Sequence, residues 1–219
     1  MSSNYWDELF LKNIDKEIDV IFEIGARYGD ESVILSEMFP KAQIYSFECN
    51  PLTSKECEEK LKDCRNVTFF PFALGESNTQ MPFYSYIQNN DGASSLLKRI
   101  DYENSQKQTG VVNVKTLKDI AIENNIHKID LLCMDVQGYE LNILKGCGDF
   151  ISKINFVIME EPNPIVDKKY LPEDTYSFYV NAPSSQEIKE FMQSKGLFEI
   201  ERAKENEIEY NVMYKNILV

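Results

Sequence analysis

The chain contains a single histidine, His127, among its 219 residues. This excludes a metal centre built from several histidines and disfavours a Ser-His-Asp triad. His127 precedes a predicted strand, far from that strand's carboxyl end, and is therefore a poor candidate for a catalytic base. The five cysteines form no C-x-x-C pair and their number is odd, which indicates reduced thiols rather than a disulfide framework.

Long apolar runs and basic clusters are also missing. No segment approaches the roughly 20 apolar residues that cross a bilayer, and the polar N-terminus has no signal-peptide pattern. We therefore expect a cytoplasmic protein without a membrane partner. Acidic residues outnumber basic ones by 36 to 23, giving a net charge of -13. Such a surface repels phosphate backbones, so nucleic acid is not an expected partner.

Short apolar runs alternate with helical patterns along the chain. Buried strands are predicted at 18–24, 43–48, 67–72, 129–135 and 154–161, and closing strands at 197–202 and 209–218. Residues 81–87 and 111–114 look extended. Asp30 is positioned to cap the first helix after the first strand, and Thr116 to cap a helix over 117–124. The alternation predicts a mostly parallel sheet with helices on both faces. We expect one domain over residues 1–219, with an N-terminal helix in 1–16 and an aromatic insertion at 165–183.

Acidic residues end several of the predicted strands. Glu23, Glu48, Asp135 and the pair Glu160-Glu161 stand at these ends. The carboxyl ends of parallel strands share one edge of a sheet, and open α/β sheets bind ligands there. One strand-end acid is usually a solvated or capping group, but repetition of the pattern favours a ligand cleft.

The loop after the first strand indicates which ligand the cleft binds. Glu48 lies 23 residues after Gly25, close to the ~20-residue spacing at which an acid binds ribose hydroxyls in dinucleotide folds. The G-x-G-x-x-G pattern of NAD sites is absent, and Glu23 would repel a pyrophosphate. Glycines at 25 and 29 allow close approach of the backbone. An acid in this position suits the ammonium and sulfonium groups of S-adenosylmethionine.

The ordered series of motifs resembles the FkbM-type S-adenosylmethionine-dependent methyltransferases. The matching segments are 22–32, 45–51, 72–75, 92–96, 134–140 and 157–161. The resemblance implies a Rossmann-like class I methyltransferase fold, with a mostly parallel seven-stranded sheet, helices on both faces and an antiparallel C-terminal strand. It also implies methylation of oxygen atoms, often those of sugar hydroxyls.

The resemblance further implies a set of cofactor-binding residues. Glu23, Gly25 and Gly29 would line the methionine end, and Glu48 would bind the ribose. The full set comprises Glu23, Gly25, Arg27, Gly29, Ser32, Glu48, Cys49, Asn50, Phe72, Ala73, Ser94 and Asp135. Two members depart from the family pattern, since Arg27 stands where asparagine is usual and Cys49 where proline is usual. Arg27 is unexpected near a sulfonium unless it contacts the cofactor carboxylate or Glu23.

Methyl transfer to a hydroxyl is an in-line displacement that benefits from alignment and from a base that accepts the hydroxyl proton. Asp135 is the first candidate for this base and Glu160 the second. Alternatively, Asp135, Glu160 and Glu161 offer oxygen ligands suited to Mg²⁺ or Mn²⁺. Gln137 replaces the usual glutamate and removes one negative charge from such a metal site. For Glu160-Glu161 a solvated strand end remains an equal alternative.

Aromatic residues suit a small-molecule or glycan acceptor, because their faces pack against sugar C–H groups. They lie before the serine-containing loop at 92–96 and in the insertion: Tyr84, Tyr86, Tyr170, Tyr176, Phe178 and Tyr179. A packed lid or an oligomer contact, such as a homodimer interface, explains them equally well. A methyltransferase for a non-carbohydrate small molecule or peptide, a noncatalytic nucleoside-binding domain and a dehydrogenase remain as alternatives. The missing G-x-G-x-x-G disfavours the dehydrogenase.

Overall fold

The computed structural model describes residues 10, 12–87, 91–163 and 177–218. The expected N-terminal helix at 1–16 and the aromatic insertion at 165–183 lie mostly outside these residues. The described residues form strands and helices that mostly alternate along the chain. The strands are β1 (Val20–Ile24), β2 (Gln43–Phe47), β3 (Val67–Phe70), β4 (Ala73–Leu74), β5 (Thr79–Tyr86), β6 (Gln106–Lys115), β7 (Ile129–Met134), β8 (Ile154–Pro162), β9 (Leu197–Lys204) and β10 (Glu209–Asn216). The helices are α1 (Asp30–Met38), α2 (Ser54–Leu61), α3 (Tyr102–Ser105), α4 (Leu117–Glu123), α5 (Glu140–Gly146) and α6 (Ser185–Ser194).

The main sheet has seven strands in the order β3-β2-β1-β7-β8-β10-β9. Strands β3, β2, β1, β7 and β8 are parallel, whereas β10 runs antiparallel to both of its neighbours. This confirms the predicted fold class. The strand order reverses between β1 and β7, which places a crevice at their carboxyl ends.

Helices cover both faces of the sheet, so its central strands read as continuous apolar runs. Alternate residues of β1 and β7 enter different cores. Ile21 and Leu131 pack in one core, and Phe22 and Leu132 pack in the other. All four are fully buried, so the position of the strand ends is fixed by packing on both sides.

A second sheet of three strands, in the order β4-β6-β5, was only partly predicted. The sequence indicated extended segments at 81–87 and 111–114, whereas β5 and β6 are longer and pair antiparallel along their whole length. The first half of β6 is polar, so it lacks the apolar pattern from which a strand is predicted. A backbone bridge between Tyr84 and Ser95 ties the segment after β5 back to that strand.

The predicted helix caps have two outcomes. Thr116 caps α4, since its hydroxyl accepts a hydrogen bond from the Asp119 amide at 3.1 Å. The prediction that Asp30 caps α1 is wrong. Gly29 occupies the cap position with a φ of 81°, and Asp30 begins the helix. The Asp30 carboxylate instead pairs with Lys60 at 2.8 Å.

Candidate active site

A cavity of about 570 Å³ opens at the carboxyl ends of β1, β2, β7 and β8. Most of the predicted site residues line it: Glu23, Gly25, Arg27, Glu48, Cys49, Asn50, Phe72, Ala73, Ser94, Asp135 and Glu160. Gly29, Ser32 and Glu161 do not line it. The sheet therefore brings together strand-end residues that are far apart in sequence, as the parallel arrangement predicts.

Acidic side chains dominate the cavity wall. Besides the predicted acids, the lining includes Glu31, Asp91, Glu205 and Glu209. The basic residues in the lining are Arg27 and Arg99, and each is ion-paired, with Asp91 and Asp101 respectively. The resulting negative potential favours a ligand that carries positive charge.

Gly25 is required by the approach of two strands. Its φ is 95°, and a Cβ there would lie 1.9 Å from the backbone oxygen of Asp135. Gly29 has a different role, since a Cβ there would press on Leu61 and Cys57 at 3.1–3.2 Å. The predicted reason for these glycines was close approach to a ligand. That remains a prediction, and the structure adds a second reason: close approach to the Asp135 backbone after β7 and to α2, which fixes the loop beside Asp135.

Glu23 is buried at the end of β1, where two serine hydroxyls fix its carboxylate. The Ser32 hydroxyl donates to its carboxylate, and the Ser46 hydroxyl donates to the same oxygen at 3.2 Å. Burial raises the pKa of Glu23 to about 8, although these two hydrogen bonds oppose the change. Ser32 thus acts on the cleft by fixing Glu23 and does not itself line the cavity.

Glu48 is held by backbone amides at the end of β2. The Arg27 amide donates to one carboxylate oxygen at 2.6 Å, and the Asn50 amide donates to the other at 2.5 Å. Burial raises the pKa of Glu48 to about 7 against these hydrogen bonds. Asn50 is fixed in turn by the Ser85 hydroxyl, which donates to its side-chain oxygen at 3.1 Å. Both predicted residues therefore face the cavity in defined orientations.

The side chain of Arg27 does not contact Glu23. Its guanidinium pairs with Asp91, and the Tyr28 hydroxyl donates to the same carboxylate. Arg27 itself has a left-handed backbone with a φ of 50°. These contacts fasten the β1–α1 loop to the short 3₁₀ turn Asp91–Ala93, which forms a wall of the cavity. The charge of Arg27 is thus neutralised locally.

An apolar wall lies on the other side of the β2 end. Phe72 and Ala73 line it together with Phe47 and Cys49. The rings of Phe47 and Phe72 meet edge to face with centroids 5.8 Å apart. Ser94 also lines the cavity, and its hydroxyl donates to the Asp91 carbonyl at 2.6 Å. Flat apolar surface of this kind is suited to an aromatic base.

Gln137 joins the two predicted catalytic carboxylates. Its side-chain nitrogen donates to Asp135 at 2.6 Å and to Glu160 at 2.9 Å. The Tyr179 hydroxyl donates to the side-chain oxygen of Gln137 at 2.7 Å, which fixes the amide orientation. A glutamate at this position would add a third carboxylate and lose both donated bonds. Burial and the charge of Asp135 raise the pKa of Glu160 well above its ordinary value.

The three predicted metal ligands do not come together. Glu161 points away from the cavity, because successive strand residues face opposite sides of a sheet. There its carboxylate accepts hydrogen bonds from Ser185 and Tyr214, both at 2.5 Å, and pairs with Arg202 at 3.0 Å. Among the described residues no group of three or more His, Cys, Asp or Glu side chains is arranged to hold a metal ion. These residues do not fit a metal centre built from Asp135, Glu160 and Glu161.

Glu140 shapes the turn between β7 and α5 without lining the cavity. Its carboxylate accepts from the amides of Val136 at 3.2 Å and Gly138 at 3.3 Å. Burial raises the pKa of Glu140 to about 8. The turn contains left-handed residues at Gln137 and Gly138, with φ values of 55° and 92°. Glu140 therefore stabilises the backbone that presents Gln137.

Several cavity residues were not predicted from the sequence. They lie before α3 and in the β9–β10 hairpin: Arg99, Glu205, Asn206, Ile208, Glu209 and Asn211. The hairpin residues reach the cavity because β10 pairs with β8, which sets Asn211 directly opposite Glu160. The sequence predicted a strand at 209–218, but not its neighbour in the sheet. Only the pairing with β8 shows which side chains of this strand face the cavity.

The buried carboxylates predict an unusual dependence of stability on pH. The pKa values of Glu23 and Glu140 are raised to about 8 and that of Glu48 to about 7 from an ordinary 4.5, so the folded protein retains protons that the unfolded chain releases. The stability from this source is complete below the ordinary value and is lost as the pH rises through about 8. Without ligands, the melting temperature should be at least about 5 °C lower at pH 8.5 than at pH 6.

Thermal unfolding monitored by circular dichroism checks this expectation. Glu23→Gln removes one of the responsible groups and should reduce the slope. Glu207→Gln, at an exposed position in the β9–β10 turn, should leave the slope unchanged. A melting temperature that is constant or rises between the two pH values would contradict the assignment of proton-binding carboxylates.

The fold and the acid-lined crevice define a methyltransferase of the Rossmann-like class. A family model for the methyltransferase FkbM domain matches residues 23–197. The chain therefore belongs to the FkbM methyltransferase family, as its motifs predicted.

Two relatives of known activity are similar in sequence. The 2-O-methyltransferase NoeI of Sinorhizobium fredii is 27% identical over 174 residues, covering 73% of this chain and 70% of NoeI. The hexuronic acid methyltransferase AglP of Haloferax volcanii is 27% identical over 149 residues, covering 66% of this chain and 56% of AglP. The match thus spans only part of each relative's length.

Solved structures share the fold. The FkbM methyltransferase of Methylobacillus flagellatus aligns with a TM-score of 0.61 and 13% identity, over 97% of this chain and 48% of that one. Fibrillarin of Aeropyrum pernix, solved with S-adenosylmethionine, aligns with a TM-score of 0.52 and 12% identity, over 96% of this chain and 76% of that one. No helix among the described residues has the length and apolar character needed to cross a bilayer.

Proposed function

We propose that this protein is an S-adenosylmethionine-dependent O-methyltransferase that methylates a hydroxyl of a sugar or glycan. The observation that carries the proposal is the meeting of Glu23, Glu48 and Asp135 at adjoining strand ends in one acidic cavity. Family membership and the sugar-directed name of AglP, a hexuronic acid methyltransferase, support it. The proposal treats residues 1–219 as one methyltransferase domain working in the cytoplasm.

The residues present fit the cofactor. Glu48 offers carboxylate oxygens to the ribose hydroxyls, and Phe72 and Ala73 offer an apolar wall to the adenine. Glu23 and the negative potential of the cavity favour the ammonium group of the methionine end. When bound, the cofactor supplies a methyl group on a positively charged sulfur that is already a good leaving group. The protein contributes alignment and a base for the acceptor hydroxyl.

Asp135 is the proposed base, and Glu160 and Gln137 position it. Glu160 is half-buried beside Asp135, and desolvation together with the charge of Asp135 raises its pKa, which favours its protonated form at neutral pH. The Gln137 amide donates to Asp135 and so fixes the direction of its carboxylate. Asp135 would accept the proton of the acceptor hydroxyl at its carboxylate. No step is assigned to a metal ion, because the candidate ligands do not assemble.

A methyl-transfer assay with labelled S-adenosylmethionine tests the proposal. The purified protein is incubated with oligosaccharides, nucleotide sugars, small phenols and a peptide pool, and labelled products are identified by mass spectrometry. We expect label in a sugar product, with a mass gain of one methylene, together with calorimetric binding of S-adenosylmethionine and none of NAD. Labelling of a peptide or phenol alone would redirect the acceptor class, and binding of NAD alone would contradict the cofactor.

A further inference from the structure

The β9–β10 hairpin places polar side chains beside the proposed reaction centre. Asn211 lies directly opposite Glu160 in the antiparallel ladder, so the two side chains share a face with their Cβ atoms about 5 Å apart. Glu209 lies two residues earlier on β10 and faces the same side. Glu160, Glu209 and Asn211 all line the cavity. This group, named here the hairpin subsite, is distinct from the residues proposed for the cofactor.

Asn211 supplies the observation that points to a ligand. Its side chain is 5% exposed, and its buried Oδ1 has no hydrogen-bond partner among the described residues. Its Nδ2 donates to Glu205 at 3.0 Å. Reversing the amide would set an oxygen against that carboxylate, so the orientation is fixed and the oxygen stays unpaired. A buried acceptor without a donor is costly and rare in folded proteins, and a ligand donor is a direct explanation.

The neighbouring groups are acceptors as well. Glu160 still offers an acceptor oxygen in its protonated form. Glu209 presents a carboxylate that, among the described residues, accepts a side-chain bond from Asn206 at 2.8 Å on one oxygen. Arg99 is the nearby cation, but it is paired with Asp101 at 2.8 Å and stacked on Phe178 and Tyr86, with distances of 4.8 and 5.2 Å to their ring centroids. Its charge is therefore already engaged. A molecule that fits this wall must donate hydrogen bonds and must not bring negative charge.

We propose that Asn211, Glu209 and Glu160 form the acceptor-binding subsite, which binds hydroxyl and ammonium groups of a sugar and rejects sugars that carry a carboxylate or phosphate. Phe178 and Tyr86 also line the cavity, and the ring surface that Arg99 leaves open packs against the C–H side of the sugar. This inference rests on the proposed sugar methylation and adds a charge preference to it. An amino sugar is the best-matched acceptor.

Calorimetry on the protein saturated with S-adenosylhomocysteine tests the charge preference without requiring turnover. The probes are three tetrasaccharides of similar size: tetraglucosamine, neutral cellotetraose and tetragalacturonate. At low salt we expect tetraglucosamine to bind at least about ten-fold more tightly than tetragalacturonate, with cellotetraose between them. Tighter binding of tetragalacturonate, or equal binding of all three, overturns the subsite while leaving sugar methylation in place. Binding of none overturns both proposals.

Two variants locate the preference in the hairpin. Glu209→Gln should reduce the ratio between the amino and uronic probes by about ten-fold, whereas Glu207→Gln in the same hairpin should not change it. Asn211→Ala should weaken tetraglucosamine binding by about ten-fold with little change in melting temperature, because removal of the unpaired oxygen offsets loss of the bond to Glu205. A lower melting temperature with unchanged sugar affinity would assign Asn211 a structural role and contradict the proposal.

Discussion

Asp135→Asn should lower kcat for methyl transfer by about 10²–10⁴-fold, the usual contribution of a general base. The change is nearly isosteric, and an asparagine oxygen still accepts the hydrogen bond that the Gln137 amide donates at 2.6 Å. The geometry of the β7 end is therefore retained while the proton acceptor is lost. The affinity for S-adenosylmethionine should fall by no more than about five-fold, because Glu23 and Glu48, the residues proposed to bind the cofactor, are unchanged.

Initial rates at saturating cofactor and acceptor give kcat, and calorimetry gives the cofactor dissociation constant. Asp149→Asn is the matched control, since it makes the same chemical change at an exposed carboxylate that pairs with Lys118 on the surface. That control should keep the wild-type rate. If Asp135→Asn also retains kcat within about two-fold, Asp135 is not the base and Glu160 takes its place as the candidate.

The part of the site that was predictable lies on parallel strands. Glu23, Glu48 and Asp135 each follow a buried apolar run, and the rule that ligands bind at the carboxyl ends of such strands places them together. The fold class was predictable for the same reason, because alternation of strands and helices allows few arrangements. Those inferences need only local pattern and a general rule of topology.

The unpredicted part depends on contacts between segments distant in sequence. The pairing of Arg27 with Asp91 joins two loops, and no local pattern indicates it. The position of Asn211 opposite Glu160 depends on the register of β10 against β8. A shift of that register by one residue would turn Asn211 to the other face. Residue spacing alone does not fix such a register.

Gln137 shows how a departure from a family pattern is explained by its neighbours. On sequence grounds its neutral side chain only weakens a metal site. In the structure its amide donates to Asp135 and Glu160 at once and accepts from Tyr179. The neutral amide therefore links Asp135 to Glu160 without adding a third negative charge. The departure is consistent with a site that works through paired acids.

Gly25→Ala should destabilise the protein by more than about 3 kcal/mol, because two separate costs combine there. The backbone at Gly25 has a φ of 95°, which L-residues rarely adopt, and the added Cβ would lie 1.9 Å from the Asp135 backbone oxygen. The added Cβ and the Asp135 oxygen are both fixed to the backbone, and no flexible side chain can move aside. The ends of β1 and β7 would therefore have to separate. For a chain of this size, the melting temperature should fall by at least about 6 °C.

Gly148→Ala separates the clash from the conformational cost. Gly148 also has a positive φ, of 56°, but a Cβ there would meet only the Lys118 side chain at 3.5 Å, an ordinary contact. It should therefore cost about 1–2 kcal/mol, the penalty of a left-handed backbone alone. Because Gly25 sits beside the Asp135 backbone, its variant should also lose cofactor affinity, which Gly148→Ala should keep. Equal melting temperatures for the two variants would mean that the contact between β1 and β7 relaxes freely. The tight packing at Gly25 would then not be what aligns Glu23 with Asp135.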